Sequence, residues 1–153
     1  MKAAFINPFL AASMNLFHEY LGITVRSLNP FVRPDPHALD EVSGIIGLAG
    51  DTAGAVVLSF SRQTAMNVVS VFSKKSYTAL SNEVLDGVGE LVNIIAGNAK
   101  QDLADYRISI SLPGVVVGSG ARIHWPEGVP VIAIPFDSGL GSFSVNVSLK
   151  DAL

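Results

Sequence analysis

Apolar residues recur at spacings of three and four in three stretches of the chain, and this period predicts amphipathic helices. In the first stretch, Asn7 suits the N-cap, Pro8 suits the first helical position and Gly22 suits the helix end. The second stretch follows Ser61, whose side chain is suited to cap a helix N-terminus. The expected helices cover about residues 7–21, residues 62–75 and the stretch from about Ser81 to Asp105.

The rest of the chain has the alternating or short apolar runs that predict β-strands. The segments VSGIIGLAG and GAVVLSFS are joined by Asp51-Thr52-Ala53, which indicates a hairpin. A short strand and then a proline-containing loop are expected in ITVRSLNPFVRPDPHALD. Further strands are expected at RISISL, where Ile108, Ile110 and Leu112 share one face, and at GVVVG, ARIHW and VPVIAIPF.

The last expected strand, SFSVNVSLK, has the clearest alternation. Its apolar residues are expected to face the core and its polar residues to face solvent. The inward set is Phe143, Val145, Val147 and Leu149, and the outward set is Ser142, Ser144, Asn146 and Ser148.

Together these elements predict an α+β fold in which long helices cover one face of an extended, mostly antiparallel sheet. Each half of the chain runs from a helix into strands, which indicates a weak internal pseudo-repeat. The 153 residues suit one domain, 1–153, and no linker-like segment divides them.

The composition argues against several classes of function. Hydrophobic residues make up 49% of the chain and charged residues 15%, as in a packed globular domain. The net charge of −3, with scattered basic residues, argues against nucleic-acid binding. No apolar stretch reaches the roughly 18 residues of a membrane span.

Residue types exclude several kinds of site. The absence of cysteine excludes disulfides, thiol catalysis and cysteine-based zinc sites. His18, His37 and His124 lie too far apart in sequence for a helical metal pair, and no metal site is expected. The N-terminal MKAAFINPFLAAS continues with helical periodicity, which favours a structural helix over a cleaved leader. We expect a cytoplasmic location.

The third expected helix carries the strongest candidate site. At about 100° per residue, Asp86, Glu90, Asn93 and Gly97 fall within one stripe roughly 60° wide, opposite the apolar face. Glu90 and Asn93 are therefore expected to point away from the sheet.

Glycines on the same helix pose a question, since each costs roughly 0.5–1 kcal/mol relative to alanine in a helix interior. Gly97 lies on the polar stripe and Gly87 and Gly89 flank it, so a face cleared of side chains would let another molecule come close. The alternative is that glycines mark places where elements cross closely inside the domain.

The motif Asp-x-x-x-Glu-x-x-Asn-x-x-x-Gly resembles the signature helix of the CheC/CheX/FliY chemotaxis phosphatases. The resemblance to the CheX-like form covers nearly the whole chain. The segments EYLGI, GIIGLAGDTAGAVVLSFS, TAMNVV, GELVNIIAGNAK, VPVIAIPF and FSVNVSLK occur in that family's order and spacing. The resemblance implies a CheC-like fold.

The resemblance also implies a function, which is hydrolysis of the aspartyl phosphate of a CheY-type response regulator. By that resemblance, Glu90 would dock on a lysine of the regulator and Asn93 would position water at its phosphorylation site. Asp86 would support docking, and Gly97 would keep the contact close. The Mg²⁺ would be held by the regulator, with no cofactor held by this chain.

Family members of the CheC type carry two such helices, whereas the first two expected helices here lack Glu-x-x-Asn. The chain therefore resembles the single-site form, which implies a homodimer. The alternative is a non-catalytic module of the same fold, either one that binds a receiver without hydrolysing its phosphate or a flagellar-switch-like assembly part.

Overall fold

The computed structural model describes residues 3–118 and 122–150, which form three helices and eight strands. All strand pairs are antiparallel, and the predicted α+β class is confirmed. The elements, in chain order, are α1 (Ala3–Leu21), β1 (Arg26–Ser27), β2 (Phe31–Val32), β3 (Val42–Gly50), β4 (Gly54–Phe60), α2 (Arg62–Ser73), α3 (Asn82–Gln101), β5 (Ile108–Ile110), β6 (Gly114–Val117), β7 (Ile132–Asp137) and β8 (Phe143–Leu149).

The strands form one sheet in the order β1-β7-β8-β4-β3-β5. Strand β2 also pairs with β7 at one edge, and β6 also pairs with β3 at the other. The β3–β4 hairpin is formed as predicted, with Val42 opposite Phe60 and Leu48 opposite Gly54. Strands β4 and β8 are fully central, and this position explains why both consist almost entirely of buried residues.

The helices cover one face of this sheet, and α3 lies directly over β3. A Cβ atom added at Gly44 would be 3.0 Å from Val92 Cγ1 and 3.1 Å from Val88 Cγ1. The glycine in β3 therefore lets α3 approach the sheet closely. Nearby, Phe143 stacks on Phe17 of α1 with ring centroids 4.6 Å apart, which joins α1 to the same core.

The predicted cap at Ser61 is present, and Ser81, the predicted start of the third helix, is also an N-cap. The Ser61 hydroxyl accepts from Thr64 N at 3.2 Å to begin α2, and the Ser81 hydroxyl accepts from Val84 N at 3.4 Å to begin α3. Helix α3 ends at Gln101, earlier than the predicted Asp105. Residues 102–105 form turns instead, and the Leu103 side chain packs into the core.

The predicted start of the first helix is wrong. Helix α1 begins at Ala3 in the described residues, so Asn7 is not an N-cap and Pro8 lies inside the helix. Proline there removes one backbone hydrogen bond. The buried side chains of Phe5, Ile6 and Phe9 offset that loss by packing into the core on both sides of the proline. The helix end at Gly22 is as predicted, with φ +67° and its N–H donated to His18 O at 3.2 Å.

Two strand predictions are also wrong. Residues 122–125 of ARIHW form no strand, and residue 121 lies outside the described residues. Instead, Trp125 Nε1 donates to Pro36 O at 3.0 Å and Ile123 N donates to His37 Nδ1 at 3.3 Å, which ties two loops together. Strand β5 ends at Ile110, and Leu112 is 90% exposed rather than part of the core face.

The prediction that the polar face of β8 is exposed to solvent is wrong, because the loop after β2 covers that face. Asn146 is fully buried, and Arg33 from that loop donates to its Oδ1 at 2.6 Å and to Ser144 Oγ at 3.2 Å. Burial lowers the pKa of the Arg33 guanidinium, with the charge of Asp40 acting in the opposite direction. The sheet is therefore enclosed on both faces at its centre.

None of the helices in residues 3–118 and 122–150 combines the length and hydropathy needed to cross a bilayer.

We predict that Arg33→Met lowers the free energy of unfolding by about 1–3 kcal/mol, because it leaves buried Asn146 Oδ1 without its donor. Urea denaturation measures this. The matched control is Arg62→Met, which removes an exposed ion pair with Glu41 and should cost less than about 1 kcal/mol. Equal losses in the two variants would contradict the role given to Arg33.

Candidate functional site

Helix α3 presents the predicted polar stripe on its outer surface. Asp86 and Glu90 are exposed, and Asn93 and Gly97 are half-buried. The opposite side of the helix is buried against the sheet, α1 and α2, and it consists of Val84, Val88, Leu91, Val92, Ile95, Ala96 and Ala99. The four residues predicted for the site thus lie together on one outward face.

The side chains of the stripe lack polar partners within residues 3–118 and 122–150. Among the described residues, neither Asp86 nor Glu90 takes part in an ion pair, and Asn93 forms no side-chain hydrogen bond. By contrast, Glu83 in the first turn of the same helix accepts from Lys75 Nζ at 2.8 Å and from Tyr77 Oη at 3.2 Å. The hydrogen bond and charge of Lys75, with the Tyr77 hydroxyl, lower the pKa of Glu83.

The two flanks of the stripe face different elements. On one flank, Gly87 meets Val69 of α2, and on the other, Gly89 meets Pro113 and Val115 around the start of β6. At about 100° per residue, Asn93 is about 40° from Gly89, and Glu90 is about 60° from Gly87. Asn93 therefore inclines toward the β6 edge of the sheet, and Glu90 inclines toward α2.

Neither Gly87 nor Gly89 lies on an open surface, so the interpretation that they help to clear a face for another molecule is wrong. Both are buried, and a Cβ atom at Gly87 would be 2.6 Å from Val69 Cγ1, where α2 crosses α3. A Cβ atom at Gly89 would make an ordinary 3.4 Å contact with Val115 Cγ2. For Gly87, the alternative explanation is correct, since the glycine lies where two helices cross closely inside the domain.

Gly97 differs from the other two glycines because a Cβ atom there would have nothing within 4 Å. Its missing side chain is therefore not required by packing within this domain. An open groove begins beside Gly97 and Lys100 of α3, and Arg107 and the β5 residues Ile108 and Ile110 also line it.

Groups suited to holding a metal are absent from the described part of the chain, where no three acidic or histidine side chains cluster. His18 is near Glu19 at 3.4 Å on the exposed side of α1, and His37 accepts from a backbone N–H. The chemistry that the stripe itself offers is one carboxamide and two carboxylates on a rigid helix.

Sequence reasoning missed one feature beside the stripe, which is the exposed Leu112 between β5 and β6. The signal that could have revealed it is Pro113, since proline cannot donate to a strand ladder and so interrupts the alternation of RISISL.

Comparisons with known proteins all point to the same family. The family model described as "Chemotaxis phosphatase CheX" matches residues 42–137. The CheY-P phosphatase CheX of Thermotoga maritima is 30% identical over 129 residues, which span 80% of this chain and 81% of that protein.

Solved structures agree with that assignment. A CheC-like superfamily protein from Shewanella sp. PV-4 is 28% identical, with a TM-score of 0.88 over 99% of this chain and 100% of that chain. The CheX–CheY–BeF₃–Mg²⁺ complex from Borrelia burgdorferi has a matching chain that is 26% identical, with a TM-score of 0.81 over 96% of this chain and 98% of that chain.

We predict that alanine at two glycines of α3 has opposite effects on stability. Gly87→Ala should lower the free energy of unfolding by about 1–3 kcal/mol, because its Cβ overlaps the stiff Val69 side chain. Gly97→Ala should raise it by about 0.5–1 kcal/mol, because the new methyl meets nothing and alanine favours the helix. Urea titration of both variants measures the difference, and a stabilising Gly87→Ala would contradict the tight crossing.

Proposed function

The chain belongs to the CheX family of chemotaxis phosphatases, and on this basis we propose that it hydrolyses the aspartyl phosphate of a CheY-type receiver. The observation that carries the proposal is the outward pair Glu90 and Asn93 on α3, free of partners among the described residues. Two proteins similar to this chain are linked to CheY. The Thermotoga relative is a CheY-P phosphatase, and the Borrelia structure is a complex of CheX with CheY.

The reaction is an in-line displacement at phosphorus. The oxygen of a water molecule forms the new bond to phosphorus while the bond from phosphorus to the receiver's aspartate oxygen breaks. The aspartate leaves as a carboxylate, and the protons of the water end on the released inorganic phosphate. An acyl phosphate has a good leaving group, so positioning and electrostatics supply most of the catalysis.

Asn93 is the residue we propose to orient the water. A carboxamide has no useful basicity, but its Oδ1 accepts a hydrogen bond from water and its Nδ2 donates one to a phosphoryl oxygen. One side chain can therefore hold the nucleophile and its target together. The half-buried position on a 20-residue helix limits its movement, which favours a single orientation of the water.

The remaining stripe residues act in docking. Glu90 is exposed and has no ion pair with any residue that the structure describes, and we assign it an ion pair with a lysine of the receiver. Asp86, one turn earlier on the same face, supports that contact by its charge. Gly97, whose Cβ position is open, lets the receiver surface come against the helix backbone. Magnesium in this scheme is held by the receiver, which is consistent with a Mg²⁺-containing CheX–CheY complex.

A homodimer is part of the proposal. Three apolar side chains, Leu28, Phe31 and Val32, are 38–58% exposed at the β1–β2 edge of the sheet, and covering them is a reason to associate.

We predict that Asn93→Ala lowers the rate of receiver dephosphorylation by about 10²-fold, because the water loses its orienting group. Binding should change little, since the proposed contact forms mainly in the transition state. Release of phosphate from a phosphorylated receiver measures the rate, and titration with the beryllofluoride-activated receiver measures affinity. Glu90→Ala should weaken affinity as well as rate, because an ion pair to the receiver acts in the ground state too.

The control for both variants is Asn98→Ala, which removes a carboxamide from the same helix outside the stripe. It should leave rate and affinity within about twofold of the parent, because it keeps every group assigned to the transition state. Hydrolysis by Asn93→Ala at the parent rate would reject its assigned role. Tight binding without hydrolysis by the parent chain would favour the non-catalytic receiver-binding alternative.

We predict that light scattering at micromolar protein concentration gives the mass of a dimer, about twice the 16.1 kDa of the chain. The reason is the exposed apolar edge at β1–β2. The variant Phe31→Glu should shift the mass toward the monomer, because a buried unpaired charge opposes association. A monomer mass for the parent chain would refute the dimer.

A further inference from the structure

Leu112 is the most exposed large apolar residue in the described part of the chain, at 90% of its available surface. It lies in the short segment 111–113 between β5 and β6, which both pair with β3. Singly exposed leucines are common on proteins and need no explanation by themselves. Two further features, its rigid support and its position beside α3, set Leu112 apart.

Hydrogen bonds fix the backbone that carries Leu112. Ser111 N donates to Gly47 O at 2.9 Å, and Gly47 N donates to Ser111 Oγ at 2.9 Å. The same Ser111 hydroxyl donates to Leu112 O at 2.9 Å. On the other side, Pro113 has a fixed φ and is close to Gly89 of α3. The leucine is thus presented on a preorganised loop rather than on a free one.

The position of Leu112 along α3 follows from its neighbours. Pro113 and Val115 lie against Gly89, whereas Ile108 and Ile110 line the groove that begins at Gly97. The segment from β5 to β6 therefore runs antiparallel to α3, and Leu112 lies between these two contacts. Asn93 is midway between Gly89 and Gly97 in the helix, on the flank that inclines toward this segment.

We propose that Leu112 is an apolar docking contact for the receiver, seated on an apolar surface beside the receiver's phosphorylation site. This inference rests on the proposed function, since it takes the receiver as the occupant. Because the Leu112 segment lies alongside α3 at about the level of Asn93, a receiver that brings a phosphoryl group to Asn93 would also cover Leu112. The contact then removes Leu112 from water and excludes bulk solvent from the flank of the site, as the rim of a binding hot spot does.

The test compares Leu112→Ala with the parent chain, using a CheY-type receiver activated with beryllofluoride and Mg²⁺ for binding and the phosphorylated receiver for turnover. We expect Kd and KM to rise about tenfold, on the scale of burying a leucine side chain. The value of kcat should stay within about twofold, because Leu112 touches no reacting group. Leu112→Met should restore most of the affinity, because it nearly conserves apolar volume.

The matched control is Met14→Ala, which truncates an exposed apolar side chain on α1, outside the stripe of α3, and should leave receiver affinity unchanged. Unchanged affinity in Leu112→Ala overturns this inference while leaving the proposed function intact. A loss of dimer mass with unchanged receiver affinity also overturns it and assigns Leu112 to a contact between copies. If the parent chain binds no activated receiver, the proposed function and this inference fail together.

Discussion

Helix α3 lies close against strand β3 because Gly44 leaves room for the side chains of Val88 and Val92. That contact fixes the rotation of the helix about its axis, since its broad apolar face must meet the sheet. Once the rotation is fixed, Asp86, Glu90, Asn93 and Gly97 have to face outward. Other elements pack on the two flanks of the stripe. Helix α2 lies on the Gly87 flank, and the β5–β6 segment lies on the Gly89 flank.

The sheet that supports α3 is covered on both faces at its centre. Helices cover one face, and the loop containing Arg33 covers the other through buried Asn146 and Ser144. A site that works by orienting water depends on such support, because small displacements of Asn93 would change the angle of attack. The contribution of the fold to the proposed chemistry is therefore to hold Asn93 in position.

Patterns read from the sequence predicted the parts of the fold that local chemistry determines. The β3–β4 hairpin, the caps at Ser61 and Ser81 and the outward stripe on α3 each follow from nearby residues, and each is present. The predictions that were wrong depend on distant packing. Core contacts of Phe5 and Phe9 carry α1 past Pro8, a loop buries the polar face of β8, and Val69 accounts for Gly87. The roles of Glu90 and Asn93 toward a partner stay predictions, because a single chain shows only where they point.

The central claim is that the outward stripe of α3 meets the phosphorylation site of a receiver. The chain has no cysteine, so Gly97→Cys places a single thiol on the stripe at a position where a side chain meets nothing. A receiver with one cysteine beside its phosphorylated aspartate is then mixed with this variant under mild oxidation. The account predicts a disulfide-linked complex that forms with the activated receiver and is absent when Met14→Cys replaces Gly97→Cys. Equal cross-linking at the two positions, or cross-linking only at position 14, would contradict it.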